Sequence, residues 1–301
     1  MSDAPDASDL ISAATRYHDA LTAAMPLAGM RSLADGPTQG ELLLESQWAR
    51  DLQPALGGLY WQPIADGLPT MMTQSRGEIV RSVLELYSER TELIDPLRGN
   101  LRGYVTRGFN LGGQMGLQEL ELLGQFEVTD ERLTGQIDGH VGRLVSTQRR
   151  ARMSLAVTTA EEIGDAVVGR RDALPELSDL LTALAAWALT RTIIRSALIA
   201  ATESVRASRW GMLCAFAGNG IRGVRHECEP DVERVCTTGL CPPLCGREYA
   251  LGRVFNPMSD VPAEGRIPLH PRCRCWYSSL RDGWVKPALI WSGFALDAFD
   301  D

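Results

Sequence analysis

Cysteine and histidine are concentrated in one part of this chain. Five of its seven Cys and one of its four His fall between Cys236 and Cys275, and the stretch closes on His270-Pro271-Arg272-Cys273-Arg274-Cys275. Thiolates and neutral imidazoles are soft or borderline ligands that suit zinc, and four of them close a tetrahedral structural site. Two halves of such a site are visible, Cys241-x3-Cys245 and His270-x2-Cys273 with Cys275 close behind. Pro242, Pro243 and Pro271 stiffen the backbone between them, so each half can sit on a tight turn. The candidate ligands for Zn²⁺ are therefore Cys241, Cys245, His270, Cys273 and Cys275, with Cys236 or Cys228 able to take one of the four places. The same residues could instead pair as disulfides or stay as thiols. Cys214, beside Leu213 and Phe216, reads as a small buried hydrophobe.

Patterns for catalysis are incomplete. A zinc deaminase needs His-x-Glu followed by Pro-Cys-x-x-Cys, whereas His226-Glu227-Cys228 places its Glu one residue early and no Cys pair has that spacing. His-Glu-x-x-His and Gly-x-Ser-x-Gly are absent. His18, His140, His226 and His270 are too scattered to assign a base, and His18 and His140 read as surface or helix-face residues. The only lysine is Lys286, which excludes a P-loop and argues against Schiff-base chemistry. The expectation is a protein that is not an enzyme. A metal-dependent nuclease or deaminase-like effector using His226, Glu227 and the Cys set is the alternative.

The elements that must position these residues are mostly helical. The chain has 301 residues, with 45% hydrophobic and 23% charged residues, which is ordinary globular composition. A net charge of -8 argues against wholesale binding to nucleic acid or anionic membrane. The N-terminus lacks the basic and apolar regions of a signal peptide, and the longest apolar run, from Leu180 to Leu189, is too short for a membrane span. A soluble protein in a reducing cytosol is expected, where clustered Cys are more readily metal ligands than disulfides.

Helical periodicity predicts a helix over 7–25. Residues 26–69 read as loop-rich, with a short helix at 40–52 and Trp48, Tyr60 and Trp61 as packing anchors. Periodicity resumes over 74–95, closed by Pro96, then over 129–170, and again after Pro175 to about Ser208. The Gly-rich stretch 99–124 lacks the lysine and strand of a phosphate cradle and reads as a place where helices approach closely. Arg143, Arg149, Arg150 and Arg152 form a basic cluster, either a solvated face or a contact for DNA. Periodicity stops after Trp210, giving four expected segments: 1–73, a helical body 74–210, a Cys/His-rich lobe 211–285, and an acidic tail 286–301. The fold class is mainly α, a helical body followed by a small loop-rich α+β lobe.

From Thr202 to Cys275 the chain resembles the Mu F-like head morphogenesis family of tailed phages, the minor head or minor capsid proteins. The matching residues are Thr202-Glu203, Arg206-Ala207, Cys241-Pro242-x-x-Cys245, Leu251-Gly252-x-x-Phe255, and Pro268-x-His270-Pro271-x-Cys273-Arg274-Cys275. The closing hexapeptide is the specific part. The first Cys pair is spaced x3 where the family has x2, which makes Cys236 the substitute for Cys241. The resemblance implies an assembly protein present in few copies near the portal vertex, with portal or major capsid protein as partners. It would act in the host cytoplasm during assembly or packaging and be carried in the virion head. An Arg-rich adaptor for packaged DNA is a further reading.

Overall fold

The computed structural model describes residues 39–287 apart from 61–66, 68–69, 72, 90–93, 129–130, 171–176, 229–235, 237 and 271–272. Inside the helices it leaves out the side chains of 59–60, 87–89, 94–96, 149–159, 162, 166–167, 169–170 and 177–191. The expected helix at 7–25, the anchors Tyr60 and Trp61, the break at Pro175 and the arginines 149, 150 and 152 lie outside what is described. So does most of the acidic tail.

Five helices dominate: α1 (Gln39–Tyr60), α2 (Arg76–Glu89), α3 (Ile94–Glu119), α4 (Glu131–Arg170) and α5 (Leu177–Gly218). After them come β1 (Gly223–Glu227), β2 (Glu248–Ala250) and β3 (Trp276–Ser279), in one antiparallel sheet of order β2-β1-β3. The fold is mainly α with a small α+β C-terminal lobe, as its periodicity predicts. Among the described residues no helix is long and apolar enough to cross a membrane.

Local chemistry accounts for the start of α2 and the end of α5. Ser75 begins α2 in a capping box, its backbone N–H and its hydroxyl both donating to the Glu78 carboxylate at 2.8 and 2.7 Å. At the end of α5, Gly220 N–H donates to the Ala217 carbonyl and Ile221 N–H to that of Phe216. Gly220 stands at φ +84°. This left-handed stop is open to glycine without steric cost.

Three boundaries differ from the periodicity. α1 is longer than 40–52 and carries Pro54 in its interior. Proline there costs on the order of 3 kcal/mol, but Leu52 and Leu56 extend the buried face begun by Leu44 and Trp48 across it. Pro96 does not close a run; it lies in the first turn of α3, where a missing N–H is harmless. α5 continues past Trp210 to Gly218, because Gly211, Ala215 and Ala217 are buried against other elements and stay helical without an apolar stripe of large residues. Ile194, expected on that stripe, is exposed.

The described residues divide into two compact units. One consists of Ala49–Leu101 with Val141–Ser196, around Leu52, Leu56, Ile79, Val83, Leu97 and Ile163. Its surface carries the Arg76–Asp165 ion pair. The other consists of 39–48, Arg102–His140 and the chain from Ala197 onward. It holds the described residues of the lobe together with helical segments from both earlier parts of the sequence.

In this second unit α3 and α5 cross with their backbones in contact. Gly108, Gly112 and Gly116 recur every fourth residue on α3, opposite Ala207, Ser208 and Ala215 on α5. A Cβ on Gly112 would overlap the Ser208 carbonyl, and one on Gly211 would overlap that of Phe109. The Gly-rich stretch is thus a close-approach surface. Gly112→Ala should destabilise the protein by about 1–3 kcal/mol through overpacking. Gly135→Ala, on an exposed face of α4 with open space around it, should stabilise by about 0.5–1 kcal/mol. Urea unfolding midpoints of the two variants measure both signs.

Candidate metal centre

The sheet sets the geometry of the lobe. Side chains alternate along β1, so Val224 and His226 are buried while Arg225 is exposed. In the segment leading into β3 and along it, Cys273, Cys275 and Tyr277 are all buried at the same period of two. His226 pairs with Tyr277 across the ladder, and their rings meet edge to face at 5.9 Å. Tyr277 in turn fixes the loop before His270. Its hydroxyl donates to the Gly265 carbonyl at 2.9 Å and accepts from Ile267 N–H at 3.1 Å.

Two turns deliver the remaining ligands. Pro242–Leu244 forms a single 3₁₀ turn after Cys241, with Leu244 N–H donating to the Cys241 carbonyl at 2.9 Å. Cys236 begins a turn closed by Gly239 N–H, where Gly239 takes φ +66°. His270 and Cys273 are linked by a further turn, Cys273 N–H to the His270 carbonyl at 3.1 Å.

These turns bring five predicted ligands together. His270 Nε2 lies 3.1 Å from Cys241 Sγ and 3.3 Å from Cys236 Sγ, and Cys241 Sγ lies 3.8 Å from Cys273 Sγ. Cys275 joins Cys241 and Cys273 with all three sulfurs within 4.8 Å of one another. Zn–S bonds of about 2.3 Å in a tetrahedron set sulfurs about 3.8 Å apart, and a sulfur and an imidazole nitrogen about 3.5 Å apart. These three separations lie within a few tenths of an ångström of those in a zinc site, and Cys241 is common to both triads.

Cys245 is the exception. It is joined to Cys228 in a disulfide with Cα atoms 5.5 Å apart, so it does not belong to this donor set, and Cys236 takes its place beside Cys241. The x3 spacing explains the change. The intervening 3₁₀ turn sends Cys245 toward the end of β1, while the turn at Gly239 returns Cys236 to His270. Of the clustered cysteines, Cys236, Cys241, Cys273 and Cys275 are free thiols in groups that could hold a metal ion, whereas the expectation against disulfides fails for Cys228 and Cys245.

The electrostatics suit a cation. A hydrogen bond from Cys275, with backbone N–H groups and the nearby His270, brings the Cys273 thiol down to about 5 in spite of burial. Burial opposes ionisation of Cys236 too, but hydrogen bonds from Thr238 and Cys241 lower it to about 6. Burial and the Cys273 charge push Cys241 up, and the hydrogen bond to Cys273 together with burial does so for Cys275. Thiols packed this closely cannot all ionise alone, whereas a bound dication deprotonates them outright. Burial also holds the His226 ring at about 4, against the favouring effect of the Gly265 backbone, so the ring is neutral at neutral pH. Cys214 is fully buried and its thiol raised by that burial, as an inert core residue should be.

The support for the centre came from residues that spacing did not single out. Arg209 on α5 and Glu41 on α1 are each 1% exposed and paired at 2.6 Å. Arg209 Nε also donates to the backbone carbonyl of Cys275 at 3.0 Å, and Ser208 Oγ to Glu41 at 2.6 Å. Four residues along α1, Glu45 pairs with Arg274 at 2.8 Å. The usable signal was Glu41-x3-Glu45 beside Leu44 and Trp48, one acidic and one apolar edge on a single helix. His140 is buried, not on the surface, and meets Glu203 at 3.0 Å, where Glu203 also binds Arg206. Glu227 accepts a hydrogen bond from Ser278 Oγ at 2.7 Å and, by strand alternation, lies on the opposite face of β1 from His226 and Cys228.

Arg209→Met should cost about 3–5 kcal/mol, because it strands a buried carboxylate. Removing both charges in Arg209→Met/Glu41→Leu should recover much of that loss, a pattern that urea unfolding of the three proteins resolves. In comparisons with known proteins, no family model, curated protein or solved structure matches this chain.

Proposed function

We propose that this chain is a minor head protein of a tailed phage, a non-catalytic assembly component whose C-terminal lobe is closed by zinc. The observation that carries the reading is the fate of the closing hexapeptide. His270, Cys273 and Cys275 fold into a buried donor set with Cys236 and Cys241, and Arg274 and the Cys275 carbonyl are clamped by Glu45 and Arg209. A site with four protein ligands is saturated and builds structure, while a catalytic zinc keeps an open position. Glu227, the carboxylate that the deaminase-like alternative would use, lies on the other face of its strand and is engaged by Ser278.

The resemblance to Mu F-like proteins supplies the biological setting: head morphogenesis near the portal vertex, with portal or major capsid protein as partners and several copies acting together. Packaged DNA is a lesser contact in this reading, since the net charge is -8. Structural zinc contributes on the order of 10–16 kcal/mol of apparent binding energy that is also folding energy. Anaerobically purified protein should therefore contain stoichiometric zinc. Chelation, His270→Ala or Cys273→Ala should unfold the lobe, read by the fluorescence of Trp276 and Trp284. Metal-free protein with an unchanged lobe would refute the zinc closure. For the assembly role, the protein should co-purify with procapsids, and its absence from both procapsids and virions would remove it.

A further inference from the structure

The donor set contains one ligand too many. Cys241 belongs to two triads, one with Cys236 and His270 and one with Cys273 and Cys275; a four-coordinate zinc takes four of these five donors, and Cys275 is the one with further donors beside it. On its other side Cys275 lies with His226 and Cys228, their three donor atoms all within 4.8 Å of one another. The β1–β3 register runs from Val224 opposite Ser279 to Glu227 opposite Trp276, and one further step sets Cys228 opposite Cys275. Cys228 carries Cys245 with it through the disulfide. Eight soft donors are thus at hand, enough for two sites of four.

His226 is the independent sign that the second set is a site. It is wholly buried, and neither ring nitrogen makes a hydrogen bond of ordinary geometry. A buried polar atom left so costs about 1–3 kcal/mol, and a ring packed only for shape would not need to be histidine. Metal-bound histidines commonly give their second ring N–H to a backbone carbonyl, and the Gly265 backbone lies beside this ring.

We propose a second zinc site made by His226, Cys228, Cys245 and Cys275, adjacent to the first, for which the Cys228–Cys245 disulfide is the oxidised, metal-free form. The inference rests on the zinc reading of the first centre. Opening it requires a dithiol reductant. Two electrons and two protons convert the Cys228–Cys245 disulfide to two thiols as the reductant closes its own disulfide. Zn²⁺ then displaces one proton each from Cys228, Cys245 and Cys275 and takes neutral His226 as its fourth ligand. In the reverse exchange the disulfide form of that reagent takes the two electrons and is reduced to its dithiol, the Cys228–Cys245 bond re-forms, Zn²⁺ leaves this site, Cys275 regains its proton, and the first centre stays loaded.

The test counts zinc per full-length chain by native mass spectrometry and elemental analysis, with thiols titrated in parallel. Protein reduced and handled anaerobically with excess zinc should hold two ions, falling to one when the Cys228–Cys245 disulfide re-forms. His226→Ala, and separately Cys228→Ser/Cys245→Ser, should hold one ion under reduction. That remaining ion reports an intact first centre, so a misfolded variant is distinguished from a vacant site. Cobalt(II) substitution should give tetrahedral visible absorption in wild type about twice that of either variant. One ion in fully reduced wild type would overturn the second site alone, as would two ions in the Cys228→Ser/Cys245→Ser protein. No zinc in reduced wild type would overturn both centres together.

Discussion

A buried guanidinium holds the centre of this molecule. Arg209 has no solvent to relieve its charge, and its partners are fixed: the Glu41 carboxylate, Ser208, and the backbone oxygen of Cys275. Burying such an ion is expensive unless its geometry is good and its remaining donors are used. Both conditions are met, and meeting them constrains three separate parts of the chain. α1 must present Glu41 inward, α5 must present Arg209 at the same level, and the strand entering β3 must turn its Cys275 carbonyl toward them. The thiol and imidazole donors are arranged from that strand.

The helix crossing beneath makes this alignment possible. With Gly108, Gly112 and Gly116 against α5, the two backbones touch, and neither helix can rotate without a steric collision. Trp210 and Phe109 pack edge to face beside the crossing at 5.3 Å, and the Trp48–Tyr104 stack at 5.4 Å anchors α1 to α3. β3 is tied to the end of α3 as well, since Glu119 accepts from both the backbone and the hydroxyl of Ser279. Burial raises the Glu119 carboxyl despite those bonds.

Much of this is legible in the sequence, for identifiable reasons. Helical periodicity is a local property, so α2, α4 and most of α5 follow from spacing, and the Gly-rich stretch announces a close approach. Ligand chemistry is legible in kind, because Cys and His at short spacing have few other uses. Which cysteine goes where is not, since it depends on the direction in which a turn sends its last residue; Cys236 and Cys245 exchange roles on that account. The second blind spot was α1. Its glutamates look like ordinary surface residues until a buried arginine from far along the sequence meets them; their spacing beside Leu44 and Trp48 marks an acidic edge but not its partner. His140 escaped notice similarly, its partner Glu203 lying on another helix.

The pairs that close the centre are long in sequence. Arg209 reaches Glu41 across 168 residues and Arg274 reaches Glu45 across 229, while Cys236 and His270 are 34 apart. On a ribosome α1 is made long before its counter-charges, and β3 arrives after every helix it docks on. The desolvation of the two glutamates waits until Arg209 and then His270 to Cys275 have emerged. Closure of the lobe thus follows the helices in order of synthesis. The α-helices can form progressively, but the ion-paired core registers that the last ligands have arrived.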